Sequence, residues 1–197
     1  MGKLISLSQA QRVRQRLRKQ GKTAVFTNGV FDLLHVGHIR YLDSARRLGD
    51  CLFVGLNSDA SARRLKGADR PYVPEAERAQ ILCALRSVDY VILFSEPTAE
   101  LVVAALRPDV YAKGGDYAVG SPLPRGKDQG SPPGVNGTAT GGDVGATRPN
   151  PLLREGKTLP EAPLVESYGG RVVILAYTPS HSTTDLVARI RQNRKGP

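Results

Sequence analysis

The sequence predicts a single α/β domain in which a doubly wound parallel sheet of five strands carries helices on both faces. Short apolar segments alternate with amphipathic helical patterns along most of the chain, as in repeated strand–helix–strand units. The strands are apolar on both sides, as in "CLFVGLN" at 51–57, which indicates a sheet covered on both faces. At 197 residues, the chain fits one hydrophobic core.

The first predicted element is a basic helix within residues 1–22. Ser6 or Ser8, each followed three residues later by Gln, can cap this helix. Its apolar stripe consists of Leu7, Ala10, Val13 and Leu17.

Five strands and their connecting helices follow in order. The strands are expected at 23–29, 51–57, 90–94, 110–115 and 171–177. The helices are expected at about 38–48, around Arg63, Arg64 and Lys66, at 74–86, at about 97–106, in a short segment before the last strand, and from Ser182 onward. Pro74 followed by acidic residues is typical of a helix start.

One segment, 120–163, interrupts this alternation. It holds nine glycines and eight prolines in 44 residues, and it has too few apolar side chains to offset the entropy of ordering it. We therefore predict a mobile Gly/Pro-rich insertion within one domain, 1–197, and not a second domain. Long loops of this kind are either active-site lids or disordered segments.

Charge and composition narrow the class of protein. The net charge of +10 is concentrated in two segments without acidic residues, 1–22 with seven Lys and Arg and 189–197 with four. The remainder carries 17 basic and 18 acidic residues, and no aromatic residues interleave the basic runs, so nucleic-acid binding is disfavoured. No apolar run suits a membrane span or a signal peptide, which predicts a cytoplasmic protein. Cys51 and Cys83 lack CxxC spacing and are interpreted as core residues.

Two of the three histidines, His35 and His38, fall between the first main strand and the next helix. Open α/β sheets bind ligands at this carboxyl edge, and a helix start attracts phosphate through its free N–H groups. Gly37, between the histidines, allows close approach of a polyphosphate to the backbone. The pair can stabilise charge on a phosphoryl group, serve as helix-capping or core residues, or bind a metal. A metal is disfavoured because His181 is the one further histidine in the sequence.

The stretch "TNGVFDLLHVGH" at 27–38 resembles the signature GxFDxxHxGH of the nucleotidyltransferases related to the cytidylyltransferases. The resemblance continues outside the insertion with "NSD", "RRLKG", "RP", "ER", "VDYV", "RPDVYAKGGDY" and "STT". Within this family the chain is similar to the members that adenylylate D-glycero-β-D-manno-heptose 1-phosphate. The resemblance implies a Rossmann-like fold and transfer of AMP from ATP to a sugar 1-phosphate, with release of pyrophosphate.

The resemblance also implies roles for individual residues. His35 and His38 would hold the triphosphate and stabilise the transition state, with Mg²⁺ bound through the ATP phosphates and no metal ligated by the protein. Asp32 would act through Mg²⁺ or as an acceptor that orders its loop. The nucleotide-binding residues would be Thr27, Asn28, Gly29, Phe31, Gly37, Lys113, Gly114, Asp116, Ser182, Thr183 and Thr184.

A second group of residues is expected to bind the sugar phosphate: Asp32, Asp59, Arg63 and Lys66. Arg63 and Lys66 are three apart on one helical face and can reach the same anion; the alternative is a solvated face. The hydroxyls of "STT" can likewise either cap the last helix or bind phosphate.

Three departures from the family pattern leave alternatives open. Val30 replaces the usual cysteine, and the insertion is absent from close relatives. His181 replaces a hydrophobic or aromatic residue and is either a third phosphate donor or a surface variant. The family suggests a homodimer and, here, a separate sugar kinase.

Two other functions are alternatives to the adenylyltransferase. One is a cytidylyltransferase acting on glycerol 3-phosphate or phosphoethanolamine, and the other is a non-catalytic nucleotide- or nucleic-acid-binding module.

Overall fold

The structure is a computed structural model and describes residues 1–115 and 159–175, together with Thr183, Leu186, Val187 and Ile190. A parallel sheet runs through the described residues in the order β1-β4-β3-β2-β5-β6. Its strands are β1 (Lys3–Leu4), β2 (Ala24–Gly29), β3 (Cys51–Asn57), β4 (Tyr90–Phe94), β5 (Val110–Gly114) and β6 (Arg171–Leu175).

Helices cover both faces of this sheet, which confirms the predicted Rossmann-like class. They are α1 (Leu7–Lys19), α2 (Val36–Arg46), α3 (Asp59–Lys66), α4 (Glu75–Ala84), α5 (Glu100–Leu106) and α6 (Ala162–Ser167). One core cluster packs α1, α5 and α6 against the sheet, and the other packs α2 and α4 against its opposite face. All seven residues of the central strand β3 are buried, as its two-sided apolar pattern predicts.

The structure differs from the predicted elements in three places. The five predicted strands are present, but β1 adds a sixth, because two residues beside β4 are too short to show a periodic pattern. Helix α2 begins at Val36, two residues earlier than expected, and α5 begins at Glu100, three residues later than expected. Past Ser182, where a last helix is predicted, the described residues Thr183, Leu186, Val187 and Ile190 are helical.

The N-terminal helix docks through one buried arginine. Ser6 caps α1 in the predicted capping box with Gln9. Arg14 forms an ion pair with Asp109 at 2.6 Å, and the second oxygen of Asp109 accepts from the backbone N–H of Ala24 at 2.7 Å. One of the basic residues of the N-terminal segment is therefore a buried link between α1 and the sheet.

The end of the segment 120–163 belongs to the fold. Leu159 is buried, and the carboxylate of Glu161 accepts from the backbone N–H of Ala99 at 3.0 Å, just before α5. The last five residues of the predicted insertion therefore help to build the domain, and α6 begins within them at Ala162. Residues 120–158 lie outside the described part of the chain.

Within the described residues, no helix is long and apolar enough to cross a membrane.

Candidate active site

The strand order creates a crevice between β2 and β5. Strands β3 and β4 lie on one side of β2, and the chain then crosses over so that β5 lies on the other side. In open α/β sheets, ligands bind at the carboxyl ends of the strands where the order reverses in this way. The loop after β2 leads from this edge into α2, so the two histidines of the signature lie beside the crevice.

His35 and His38 lie side by side at the start of α2. His35 is the N-cap residue and His38 is in the first helical turn. Their ring centroids are 4.0 Å apart, and the Nδ1 atom of His38 accepts from the backbone N–H of His35 at 3.4 Å. The structure therefore brings together the two residues that the sequence predicts to be catalytic, at a helix end that favours anions.

The environment of His38 fixes its protonation state. Burial lowers the pKa of His38 to about 4, and the charge of His35 acts in the same direction. His38 is thus neutral at pH 7. Because its Nδ1 accepts a hydrogen bond, its proton is on Nε2, which makes the ring a neutral hydrogen-bond donor.

This pKa predicts a pH-dependent stability. Unfolded His38 binds a proton near pH 6.5, whereas the folded protein resists protonation down to about pH 4, so the unfolded state holds more protons between these values. The contribution of His38 is therefore complete above about pH 6.5 and declines by about 3 kcal/mol as the pH falls to about 4. Urea unfolding of the wild type and of His38→Gln across this range measures it. Parallel curves for the two proteins would contradict the lowered pKa.

The loop before the histidines is shaped by Gly29 and Phe31. Phe31 adopts a left-handed backbone conformation with φ of 47°, and its buried ring lies 5.7 Å from the His38 ring between centroids. A Cβ atom on Gly29 would come within 3.0 Å of the Phe31 ring. Glycine at position 29 therefore lets the Phe31 ring pack beside His38. Gly37 lies between the histidines in the first turn of α2.

Asp32 orders a neighbouring loop. Its buried carboxylate accepts from Arg70 at 2.7 Å and from the backbone N–H groups of Tyr72 and Val73 at 2.8 and 3.0 Å. The Arg70 guanidinium also lies 4.2 Å from the centre of the Tyr72 ring. Of the two roles that the sequence left open for Asp32, these contacts support the loop-ordering acceptor.

Thr27 links the strand to α2. Its buried hydroxyl lies 2.5 Å from the hydroxyl of Tyr41, which donates to the carbonyl of Ala112 on β5 at 3.1 Å. This chain of hydrogen bonds joins β2, α2 and β5 below the crevice. Sequence reasoning missed Tyr41, because its contacts join positions up to 71 residues apart.

Asn28 and Lys113 meet across the crevice. The Asn28 side-chain oxygen accepts from Lys113 Nζ at 2.8 Å and from the Tyr111 hydroxyl at 2.7 Å. Lys113 and Gly114 end β5, as the predicted nucleotide loop requires. The next predicted residue, Asp116, lies outside the described residues.

Arg78 forms a buried hub that the sequence did not reveal. Its guanidinium donates to the carbonyls of Asn57 and Val73 at 2.9 Å each, to the carbonyl of Val30, and to the carboxylate of Asp59 at 2.7 Å. Although "ER" belongs to the family resemblance, no role was predicted for Arg78. Its position four residues before the buried Leu82 on α4, on the apolar side of the helix, was the available signal.

Asp59 thus contacts Arg78, whereas Arg63 and Lys66 have a different environment. Both basic side chains are exposed on α3, and no ion pair joins either of them to another described residue. Asp59 begins this helix, with its N–H donating to Glu75 at 2.6 Å. Through its contacts with Arg78 and Glu75, Asp59 fixes the start of α3, the helix that carries Arg63 and Lys66.

The remaining predicted residues lie near the C-terminus. Thr183 is helical, as expected for the start of the last helix. Its neighbours Ser182 and Thr184, and also His181, lie outside the described residues.

The fold is a parallel α/β sheet, and two histidines lie at a helix start beside its crevice. This combination is typical of proteins that bind nucleotides. Residues 26–125 match the family described as cytidylyltransferase-like. The chain belongs to this family, and the predicted enzyme class, a nucleotidyltransferase, is confirmed at that level.

Individual relatives agree with this assignment. The chain is 46% identical over 173 residues to the bifunctional protein HldE of Syntrophotalea carbinolica, and 44% identical over 173 residues to that of Geobacter sulfurreducens. These alignments cover 88% of this chain and 28% of each relative, so the chain spans less than a third of their length. A crystal structure of the lipopolysaccharide core biosynthesis protein from Thermoplasma volcanium is 25% identical, with a TM-score of 0.51, and the match covers 80% of this chain and 98% of that one.

Proposed function

We propose that this protein transfers AMP from ATP to a sugar 1-phosphate, with D-glycero-β-D-manno-heptose 1-phosphate as the acceptor. The observation that carries the proposal is the neutral His38 beside His35 at the start of α2, next to the β2–β5 crevice. The resemblance to the bifunctional HldE proteins and to a lipopolysaccharide core biosynthesis protein supports a sugar-phosphate acceptor.

The reaction needs no covalent intermediate with the protein. An oxygen of the sugar phosphate attacks the α-phosphorus of ATP, the bond from that phosphorus to the bridging oxygen breaks, and pyrophosphate leaves. Such transfers depend on positioning and on stabilising charge on the phosphoryl oxygens. His38 would donate from Nε2 to these oxygens. Being neutral, it acts as a fixed donor and keeps its proton throughout.

Magnesium enters this proposal only through the substrate. Among the described residues, no three His, Cys, Asp or Glu side chains cluster as metal ligands. The Asp32 carboxylate, the candidate ligand in the signature, is engaged by Arg70 and two backbone N–H groups. These residues do not fit a resident metal site, so we predict that Mg²⁺ is carried by the ATP phosphates.

We assign the acceptor phosphate to the exposed cations of α3. Replacing Arg63 and Lys66 together with Ala is expected to raise KM for the sugar phosphate by about 10²–10⁴-fold while KM for ATP changes little, because each of the two charged hydrogen bonds contributes roughly 1.5–3 kcal/mol. Steady-state kinetics with each substrate varied in turn measures this. Arg12→Ala, which removes an exposed arginine from α1, serves as the matched control. An equal rise in both KM values would contradict the assignment.

Two partners stay predictions: a separate sugar kinase that supplies the sugar 1-phosphate, and a second copy of the chain in a homodimer. A cytoplasmic location also stays a prediction.

Nucleotide preference tests the proposal against its alternatives. A good ligand raises the melting temperature, since it binds the folded state alone. Thermal unfolding with ATP, CTP, GTP and UTP, each with Mg²⁺, is expected to show the largest rise with ATP. A larger rise with CTP would favour a cytidylyltransferase, and no rise with any of the four would contradict nucleotide binding.

A further inference from the structure

Tyr72 is an exposed aromatic residue in the loop that joins α3 to α4. It is 46% exposed, although large aromatic side chains usually bury most of their surface. The Arg70 guanidinium packs over one face of its ring, 4.2 Å from the ring centre. Among the described residues, no second ring or cation packs against Tyr72. The remainder of the ring is therefore open to a ligand.

Asp32 fixes this ring beside the loop that leads to the two histidines. Its carboxylate accepts from Arg70 at 2.7 Å and from the backbone N–H of Tyr72 at 2.8 Å. One buried residue thus holds both the backbone of Tyr72 and the cation that stacks on its ring. A tyrosine side chain has two torsions to restrict, so it costs little conformational entropy on binding. The contacts with Arg70 and Asp32 lower that cost further, because they order the ring before a ligand binds.

The loop of Tyr72 follows the helix to which we assign the acceptor phosphate. Helix α3 carries Arg63 and ends at Lys66, six residues before Tyr72. A sugar 1-phosphate joins its ring to the reacting phosphate through a single bridging oxygen, so the sugar ring lies close to the site of transfer. Near that site, the Asp32 contacts join the loop of Tyr72 to the loop of His35.

We propose that the Tyr72 ring packs against the sugar ring of the acceptor and makes this protein selective for pyranose 1-phosphates over phosphates of small open-chain alcohols. One face of a pyranose ring presents mainly C–H groups, and aromatic side chains commonly line sites for small molecules. A glycerol phosphate has no such face. This inference rests on the proposed function, because it takes the acceptor to be a sugar 1-phosphate.

Tyr72→Ala removes the ring and leaves the phosphate cations in place. We expect KM for D-glycero-β-D-manno-heptose 1-phosphate to rise by about 10-fold while kcat and KM for ATP change little, since the ring contributes contact area and no charge. Tyr72→Phe keeps the ring and should keep the wild-type KM. Leu101→Ala is the matched control, because it removes an exposed apolar side chain from α5, on the face of the sheet opposite α2.

Two further phosphates separate recognition of the ring from recognition of the phosphate. Mannose 1-phosphate has a pyranose ring, whereas glycerol 3-phosphate has none. We expect the wild type to bind mannose 1-phosphate about 10-fold more tightly than glycerol 3-phosphate, and we expect Tyr72→Ala to lose this difference by weaker binding of mannose 1-phosphate alone. Titration calorimetry measures both affinities, and melting temperatures of the same samples show that each variant is folded.

The outcomes distinguish this inference from the proposed function. If the wild type releases pyrophosphate with the heptose phosphate but Tyr72→Ala keeps its KM, or binds both small phosphates more weakly to the same extent, the ring contact is overturned while the proposed function stands. If binding of mannose 1-phosphate depends on Tyr72 in a protein that releases no pyrophosphate, the ring contact stands and the proposed function is overturned. A wild type that neither releases pyrophosphate nor binds mannose 1-phosphate overturns both.

Discussion

Replacing His38 with Ala is expected to lower turnover by about 10²–10³, the usual cost of removing one donor that stabilises a transition state. The reason is local: His38 is neutral, and its Nδ1 accepts from the His35 N–H, so Nε2–H is the donor that we propose for the substrate. Because the fold does not depend on that donor, the variant should unfold cooperatively like the wild type. Pyrophosphate release under saturating substrates measures the loss.

Two further substitutions at position 38 separate the donor from the helix cap. Asn can accept from the His35 N–H near the position of Nδ1 but lacks a donor near Nε2, so His38→Asn should be as inactive as His38→Ala. Gln can place an amide N–H near Nε2, and His38→Gln should recover part of the activity. Wild-type turnover in a folded His38→Asn protein would exclude the donor role.

The second large effect is on stability. Replacing Arg78 with Ala is expected to cost about 3–5 kcal/mol in the free energy of unfolding, the range found when one partner of a buried ion pair is removed. The change leaves the Asp59 carboxylate and three backbone carbonyls without their donor, and it opens a cavity at a fully buried side chain. Urea unfolding monitored by circular dichroism measures this loss.

The control for Arg78 is an exposed arginine. Arg12→Ala removes a side chain of the same type from the solvent-exposed side of α1, where a change within about 0.5 kcal/mol is expected. Arg78→Lys keeps the charge but cannot reproduce the forked geometry, so it should be destabilised as well. A loss below about 1 kcal/mol in the free energy of unfolding for Arg78→Ala would show that the hydrogen bonds of Arg78 contribute little to the stability of the domain.

The sequence was most informative where structure depends on neighbouring residues. The apolar strands of 51–57 and 90–94 and the Ser6 cap follow from local patterns, and the structure confirms each. The proximity of the two histidines of the HxGH motif is also a local feature, since His35 and His38 are one helical turn apart. These features could be predicted because backbone periodicity and capping are set within a few residues.

What the sequence did not reveal depends on contacts between distant parts of the chain. Arg78 binds carbonyls 5, 21 and 48 residues away, and Tyr41 reaches a carbonyl 71 residues away. These contacts leave no periodic signal themselves; for Arg78, its place on the apolar side of α4 was the available signal. The strand Lys3–Leu4 was missed for another reason, because two residues are too short to show a periodic pattern.

In the proposed reaction, this protein acts as an adenylyltransferase on a sugar 1-phosphate. The most direct test is pyrophosphate release from ATP, CTP, GTP and UTP in parallel, each with Mg²⁺ and D-glycero-β-D-manno-heptose 1-phosphate. We expect release of pyrophosphate with ATP that requires the sugar phosphate and that falls by about 10²–10³ in His38→Ala. Release with CTP in preference to ATP, or no release with this acceptor, would exclude this reaction.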